Sequence, residues 1–326
     1  MKLEKGIIYL AIVGIIVSQV SVLSYVNAVD NIPIQNKDNT EIKSALQGIN
    51  GLLSESSQVN LKSDQDSAGI VKTKNSTVDI PKNPDEAVNI KAGNTSINIS
   101  LPELEGAKEG KVIAKGVVAY ASESDFSNTV QANNDGSVRM TTIIDNPDAP
   151  TEYEYKVDLP TGGKIELQSD GSAVLYDNSN TAISIIGKPW AKDANGKEVK
   201  TWFSTDGLTL IQYVEHNVPG IVYPVVADPV WIPAAFVGFA VWAATSCVSG
   251  AITDLGWEGL KAGARTLAGK DRNWSWRDRL LGAVDGCSSG LVFGVAGRFI
   301  PGPWKQPVKN YIQSRTIYII NITYGR

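Results

Sequence analysis

The chain is short of the residues that most often carry chemistry. It has one histidine, His216, and two cysteines, Cys247 and Cys287, in 326 residues. One imidazole and two widely spaced thiols offer no zinc set. No phosphate-cradling glycine loop and no dinucleotide fingerprint occur, so neither metal nor cofactor is expected. Asp193-Ala-Asn-Gly196 reads as a turn, because a calcium loop needs many more oxygen ligands at fixed spacing. Gly286-Cys-Ser-Ser-Gly290 matches G-x-S-x-G, but a nucleophile elbow follows a strand and precedes its histidine, and His216 lies upstream. A lone histidine is more often a surface residue at a strand end than the base of a Cys-His pair. Asp145, Asp148, Glu152 and Glu154 gather near one loop, and such clusters are usually solvated faces. The sequence holds no firm enzymatic signature.

A strong overall charge is missing too: the formal net charge is −4. That mean hides an asymmetry. From Trp231 onward there are 11 Lys/Arg against 5 Asp/Glu, a net of +6, and the remainder carries −10. The same basic end holds six of the eight tryptophans. A basic, Trp-rich end on an acidic chain implies a separate module whose natural partner is anionic, such as a membrane or cell-wall surface. Trp274 and Trp276 among arginines could also stack bases. An exported chain rarely meets nucleic acid, so none is expected as a partner.

Export is read from the start of the chain. Lys2 and Lys5 precede an apolar run from Ile7 to Val17, and Val26-Asn27-Ala28 suits signal peptidase. Cleavage after Ala28 is expected. An uncleaved anchor is the alternative, because residues 6–29 carry no charge. Either way the body lies outside the cytoplasm, secreted or on the envelope. There, two cysteines suggest one disulfide, Cys247 to Cys287. It would close a loop of about 40 residues and contribute roughly 4 kcal/mol. Two buried free thiols are the less natural option outside the cell.

Residues 29–76 are polar and lack aromatics, which predicts a flexible linker. Ile42, Leu46, Ile49 and Leu53 nonetheless share a helical face. From residue 77 the pattern becomes short alternating runs with Asp135-Gly136, Gly162-Gly163, Asp170-Gly171, Asn195-Gly196 and Asp206-Gly207 between them. Asx-Gly pairs supply the positive φ of tight hairpin turns. Strands at this spacing mean an antiparallel sandwich or barrel. Residues 77–230 are therefore read as an antiparallel β module, and residues 231–326 as a helical one. The fold class is α+β, multidomain: a β-sandwich-like module followed by a small helical hairpin module.

Ala149-Pro-Thr-Glu-Tyr153, Asp158-Leu-Pro160, Trp190-Ala191, Asp193-Ala-Asn-Gly196 and Tyr223-Pro-Val-Val-Ala-Asp-Pro229 together resemble a family of uncharacterised secreted proteins. That family is common in Gram-positive bacteria, especially actinobacteria. In it a β-rich module ends in a segment like Tyr223–Pro229, and a variable helical region follows, often with paired cysteines. The resemblance implies export and a modular layout. It carries over no catalytic residue.

In the helical module Gly282, Gly286, Gly290 and Gly294 recur every four residues. Each interior glycine costs a helix about 1 kcal/mol relative to alanine, so the ladder predicts close backbone contact along one face. Ala240, Ala243, Ala244, Cys247 and Ala251 offer a matching small face, giving a hairpin pinned by Cys247–Cys287. Two fates compete. The hairpin packs as an ordinary helical domain, or it inserts into or lies on a membrane. In the second case Trp242, Trp257, Trp274 and Trp276 suit the interface, and Lys261, Arg265, Arg272, Arg277 and Arg279 suit anionic lipid. Asp285 within the second helix opposes insertion. The tail, residues 311–324, reads as β-prone from Ile317, Ile319 and Ile322. These features predict a non-enzymatic envelope-associated or interaction protein, the alternative being a membrane-active or toxin-like effector.

Overall fold

The computed structural model describes residues 38–49, 52–53, 59–73, 76–233, 247, 276–294, 300, 302 and 305–324. The expected leader and its cleavage site lie outside them. So do most of the uncharged run 229–253 and Trp242, Trp257, Lys261, Arg265, Arg272 and Trp274. Of the described helices, none is long and apolar enough to cross a membrane.

Helix α1 (Asn39–Gly48) is capped by Asp38, whose carboxylate accepts from the Thr40 and Glu41 amides. Among the described residues, seventeen strands follow. The first nine are β1 (Ser67–Lys72), β2 (Thr77–Pro81), β3 (Val88–Ala92), β4 (Thr95–Ser100), β5 (Lys111–Ala114), β6 (Val117–Tyr120), β7 (Phe126–Ala132), β8 (Val138–Ile144) and β9 (Glu152–Asp158). Next come β10 (Lys164–Leu167), β11 (Ala173–Tyr176), β12 (Ala182–Ile186), β13 (Trp190–Lys192), β14 (Thr201–Thr205), β15 (Thr209–Val214), β16 (Val225–Asp228) and β17 (Val230–Pro233). Helices α2 (Trp276–Phe293) and α3 (Lys305–Tyr324) end the described chain.

The strands form two antiparallel sheets packed as a sandwich. One has seven strands in the order β1-β2-β3-β4-β9-β15-β14. The other has ten: the path β10-β11-β12-β17-β8-β7-β6-β5, with β16 on β8 and β13 on β16. Between the sheets lie side chains of both, including Val78, Ile99, Tyr155, Met140, Leu175 and Trp231. Tyr155 meets Trp231 edge-on across this core, with ring centroids 6.3 Å apart.

The turns work as the Asx-Gly pairs suggested, in a specific form. At 133–137, 168–172, 177–181 and 193–197 the first residue accepts from the fourth amide and donates to the fifth carbonyl. The fourth residue takes positive φ: 88° at Gly136, 88° at Gly171, 58° at Asn180 and 77° at Gly196. This is the three-residue hairpin loop with a left-handed closing residue.

The two sheets differ on their outer faces. In β9 exposure alternates at every position, with Tyr153, Tyr155 and Val157 inward and Glu152, Glu154, Lys156 and Asp158 outward. That is the pattern of a sheet open to water on one side. Strands β6, β7, β11 and β12 are buried at every position, because other parts of the chain cover the ten-stranded sheet. At one end Ile42, Leu46, Ile49 and Leu52 pack on Val117, Ala119, Ile143 and Val226. At the other, Val292, Ile300, Val308, Tyr311 and Ile312 pack on Val174, Tyr176, Ile185 and Ile232, with Cys247 among them.

Two expectations change accordingly. The segment read as a linker contains β1 and the buried helix α1, because the helical face seen in the sequence has a sheet to bury against. The tail read as β-prone is α3, whose buried Val308, Tyr311, Ile312 and Thr316 recur at helical spacing. Pro307 is tolerated because it falls in the first turn, where no helical amide bond is lost. Helix α2 packs on α3, and the partner expected for it, residues 240–251, lies outside the described residues apart from Cys247.

Candidate functional site

The feature that most departs from regular sheet is a split beside β9. Strand β4 pairs with β9 only over Asn98–Asp158, Ile99–Val157 and Ser100–Lys156. The next residues would continue the ladder, but Pro102 has no amide to donate. The chain swings to the opposite sheet, where Asn128 Nδ2 on β7 donates to the Pro102 carbonyl at 2.7 Å. Ser124 Oγ holds the Glu105 carbonyl at 3.0 Å. Residues 152–155 of β9 are paired with β15 on one side and, among the described residues, have no strand on the other. A cleft of about 530 Å³ occupies the gap.

Its walls are the 100–104 segment and β9, with Tyr120, Phe126 and Asn128 of the ten-stranded sheet below. Phe126 and Tyr153 meet edge-on at 5.2 Å. Tyr120 is fixed by donating to the Pro81 carbonyl at 2.6 Å, and burial pushes its phenol well above the usual range. Tyr153 is buried, with its own phenol raised for the same reason, and its hydroxyl has no hydrogen-bond partner among the described residues. The rim carries Asp85, Glu103, Glu152 and Glu154 against a single ammonium, Lys156. Two members of the acidic cluster noted in the sequence, Glu152 and Glu154, thus stand on a cleft as well as on a solvated face. Alternation along one strand puts both on the same side; the split that makes the cleft has no such sequence signal beyond Pro102.

The specific segment 223–229 has a structural explanation residue by residue. Tyr223–Pro224 is a cis peptide. The Tyr223 hydroxyl donates to the His216 carbonyl at 2.9 Å, and His216 Nδ1 lies 3.0 Å from that hydroxyl. His216 Nε2 lies 2.9 Å from the Pro150 carbonyl. The lone histidine, expected at the surface, is fully buried and ties the 216–223 loop to the start of β9. Strand β16 is buried throughout. Asp228 is 1% exposed, with its Oδ2 2.9 Å from Arg139 Nε on β8. Burial pushes its carboxyl up to about 7, against the pull of the Arg139 guanidinium and of Trp190. Pro229 then breaks the ladder, and its carbonyl accepts from Met140, so β16 and β17 share β8 as partner.

At the C-terminal end Cys247 and Cys287 form a disulfide with a Cα separation of 5.9 Å. The face of α2 that packs carries Val284, Ser288 and Val292. Gly286, Gly290 and Gly294 are exposed, and a Cβ added at Gly286 or Gly290 would meet no atom within 4 Å. The residues expected to contact the glycine ladder, 240–251, lie outside the described residues apart from Cys247; Gly282, Trp276, Arg277 and Arg279 share the helix. Ser288, the nucleophile of the G-x-S-x-G match, sits within this helix and donates to the Asp285 carbonyl at 3.0 Å. Asp285 faces α3, where Lys309 lies 2.8 Å away and Gln313 donates at 2.6 Å. Those hydrogen bonds hold its carboxyl below the usual range. Among the described residues no group of three or more His, Cys, Asp or Glu is arranged to hold a metal ion.

The molecule is thus an antiparallel β-sandwich closed on one outer face by its own helices and cross-linked once. Set against protein families, curated proteins and solved structures, the chain matches none.

Proposed function

We propose that this is an exported, non-enzymatic protein that acts by binding, in the envelope or outside the cell, with the sandwich as scaffold. The observation that carries the reading is the Cys247–Cys287 disulfide, a bond that oxidising compartments form and keep and that the cytosol reduces. The leader pattern at residues 1–28 supports the same compartment, and so does the resemblance of segments 149–229 to secreted proteins of Gram-positive bacteria. Binding, rather than bond-making, is supported by the described polar clusters. His216 and Asp228 are consumed by packing partners, whereas the acidic cleft and the outer face of the seven-stranded sheet remain open. A membrane-active role draws less support, since Val292, Val308, Tyr311 and Ile312 are spent on the sheet.

Fractionating the native source into cytosol, membrane, wall and medium tests the reading, with non-reducing peptide mapping of the recovered protein. The expected result is protein outside the cytosol, beginning near Val29 and carrying the Cys247–Cys287 linkage. Intact chain in the cytosol with both thiols free would overturn it. Dye release from anionic vesicles by the full mature chain tests the membrane-active alternative, and no leakage is expected.

A further inference from the structure

We infer that the split beside β9 is a docking site for an extended, cationic peptide segment that adds as a strand to the free edge of residues 152–155. This deepens the binding reading above and rests on it.

Three observations converge on this cleft. The first is the backbone. Residues 152–155 are strand, held in register by β15 through Glu152–Tyr213, Tyr153–Gln212, Glu154–Ile211 and Tyr155–Leu210. Their other edge begins where β4 leaves at Ser100. A strand with one unpaired edge is a template for a further strand, and extended peptides are commonly recognised by this addition. Unlike the outermost strands of either sheet, this edge is walled: the 101–104 segment, tethered by Asn128 to Pro102, stands opposite it. The cleft's volume of about 530 Å³ falls among ligand-sized clefts.

The second is side-chain alternation. A strand laid in the gap would direct every other side chain inward, toward Phe126 and Tyr153, and the remainder outward. Small or branched apolar residues suit the inward positions, next to aromatic rings. The third is charge. The outward positions meet Glu152, Glu154, Asp85 and Glu103, opposed only by Lys156. Four carboxylates against one ammonium favour lysine or arginine on the incoming strand and disfavour an acidic one. An alternating apolar and basic sequence satisfies edge, wall and rim together.

The test uses the oxidised full mature chain and three labelled hexapeptides, read by fluorescence anisotropy. One is Val-Lys-Val-Lys-Val-Lys, blocked at both ends. The second is the same peptide with alternate backbone amides N-methylated, and the third replaces Lys with Glu. Saturable binding of the first is expected, weakened about tenfold or more by N-methylation and by the acidic replacement, as loss of ladder bonds and charge reversal each require. A Glu152→Gln/Glu154→Gln variant, changed only at exposed outward positions, should keep the parent's urea midpoint and lose about tenfold in affinity. On binding, amide exchange should slow within residues 152–155. No binding of the lysine peptide would overturn the inference. So would binding that N-methylation leaves unchanged, since that is charge attraction alone, or binding undiminished in the Glu variant. Failure here is distinct from failure of the export reading, which the fractionation decides whether or not any peptide binds.

Discussion

Gly136 and Gly196 close the same kind of hairpin loop with φ of 88° and 77°, yet their surroundings differ. A Cβ at Gly136 would lie 2.5 Å from Ser76 Oγ, whereas one at Gly196 meets nothing within 4 Å. Left-handed backbone costs a non-glycine residue about 1 to 2 kcal/mol, so Gly196→Ala should cost about that and Gly136→Ala clearly more, by urea unfolding. Asp228 makes a second contrast. Its carboxyl is raised by burial to about 7 from 3.8, so the folded state binds that proton more tightly than the unfolded chain. Its stabilising contribution is full below the unfolded value and is lost as pH rises through 7, a swing on the order of 4 kcal/mol. Measured against Asp228→Asn, which cannot titrate, the parent should lose stability between about pH 4 and pH 7 and stay level above that. A parent that gains on the variant over that range would mean the Arg139 ion pair outweighs burial. The segment around Asp228 stands out in the sequence, but its partners do not. Arg139, Trp190 and the His216–Tyr223–Pro150 contacts come from distant strands, and spacing alone cannot bring them together.

Among the elements, strands were the most legible. Alternation in β9 and β15 and the Asx-Gly turns follow from short-range chemistry. Helix α1 shows how a legible face can be misjudged. Its apolar stripe was visible, but polar flanks suggested a linker, and only the sheet beneath explains why the stripe is buried. Ile42→Ala or Leu46→Ala should each cost about 2 to 4 kcal/mol, whereas a mobile linker would make both neutral. Helix α3 fails in the other direction. Ile, Tyr and Thr favour strands, yet Val308, Tyr311, Ile312 and Thr316 align on one helical side and find a covered sheet face, so packing overrides propensity. The glycine spacing on α2 was read as a contact surface for residues 240–251, which lie outside the described residues apart from Cys247; the described packing face of α2 carries Val284, Ser288 and Val292. Replacing Cys247 and Cys287 together by serine should remove roughly 4 kcal/mol in the chain-entropy picture, seen as a lower urea midpoint under non-reducing conditions.

At the scale of the molecule, the boundary drawn at residue 231 marks a change of texture, and the helices beyond it share an apolar cluster with the outer face of the ten-stranded sheet. Tyr176, Ile185 and Ile232 belong to the sheet and Tyr311, Ile312 and Val308 to α3, yet they form one apolar cluster. The ten-stranded sheet is consequently covered by the chain itself, while the seven-stranded sheet keeps an open outer face and a split. The cleft was illegible beforehand because it arises from a strand that ends early, a property of register rather than composition. Amide hydrogen exchange of the oxidised full chain, resolved by mass spectrometry, tests this organisation most directly. If the helices belong to the sandwich, α3 and strands β11, β12 and β17 will share one slow, cooperative opening. Rapid exchange throughout α3 while those strands stay protected would contradict it.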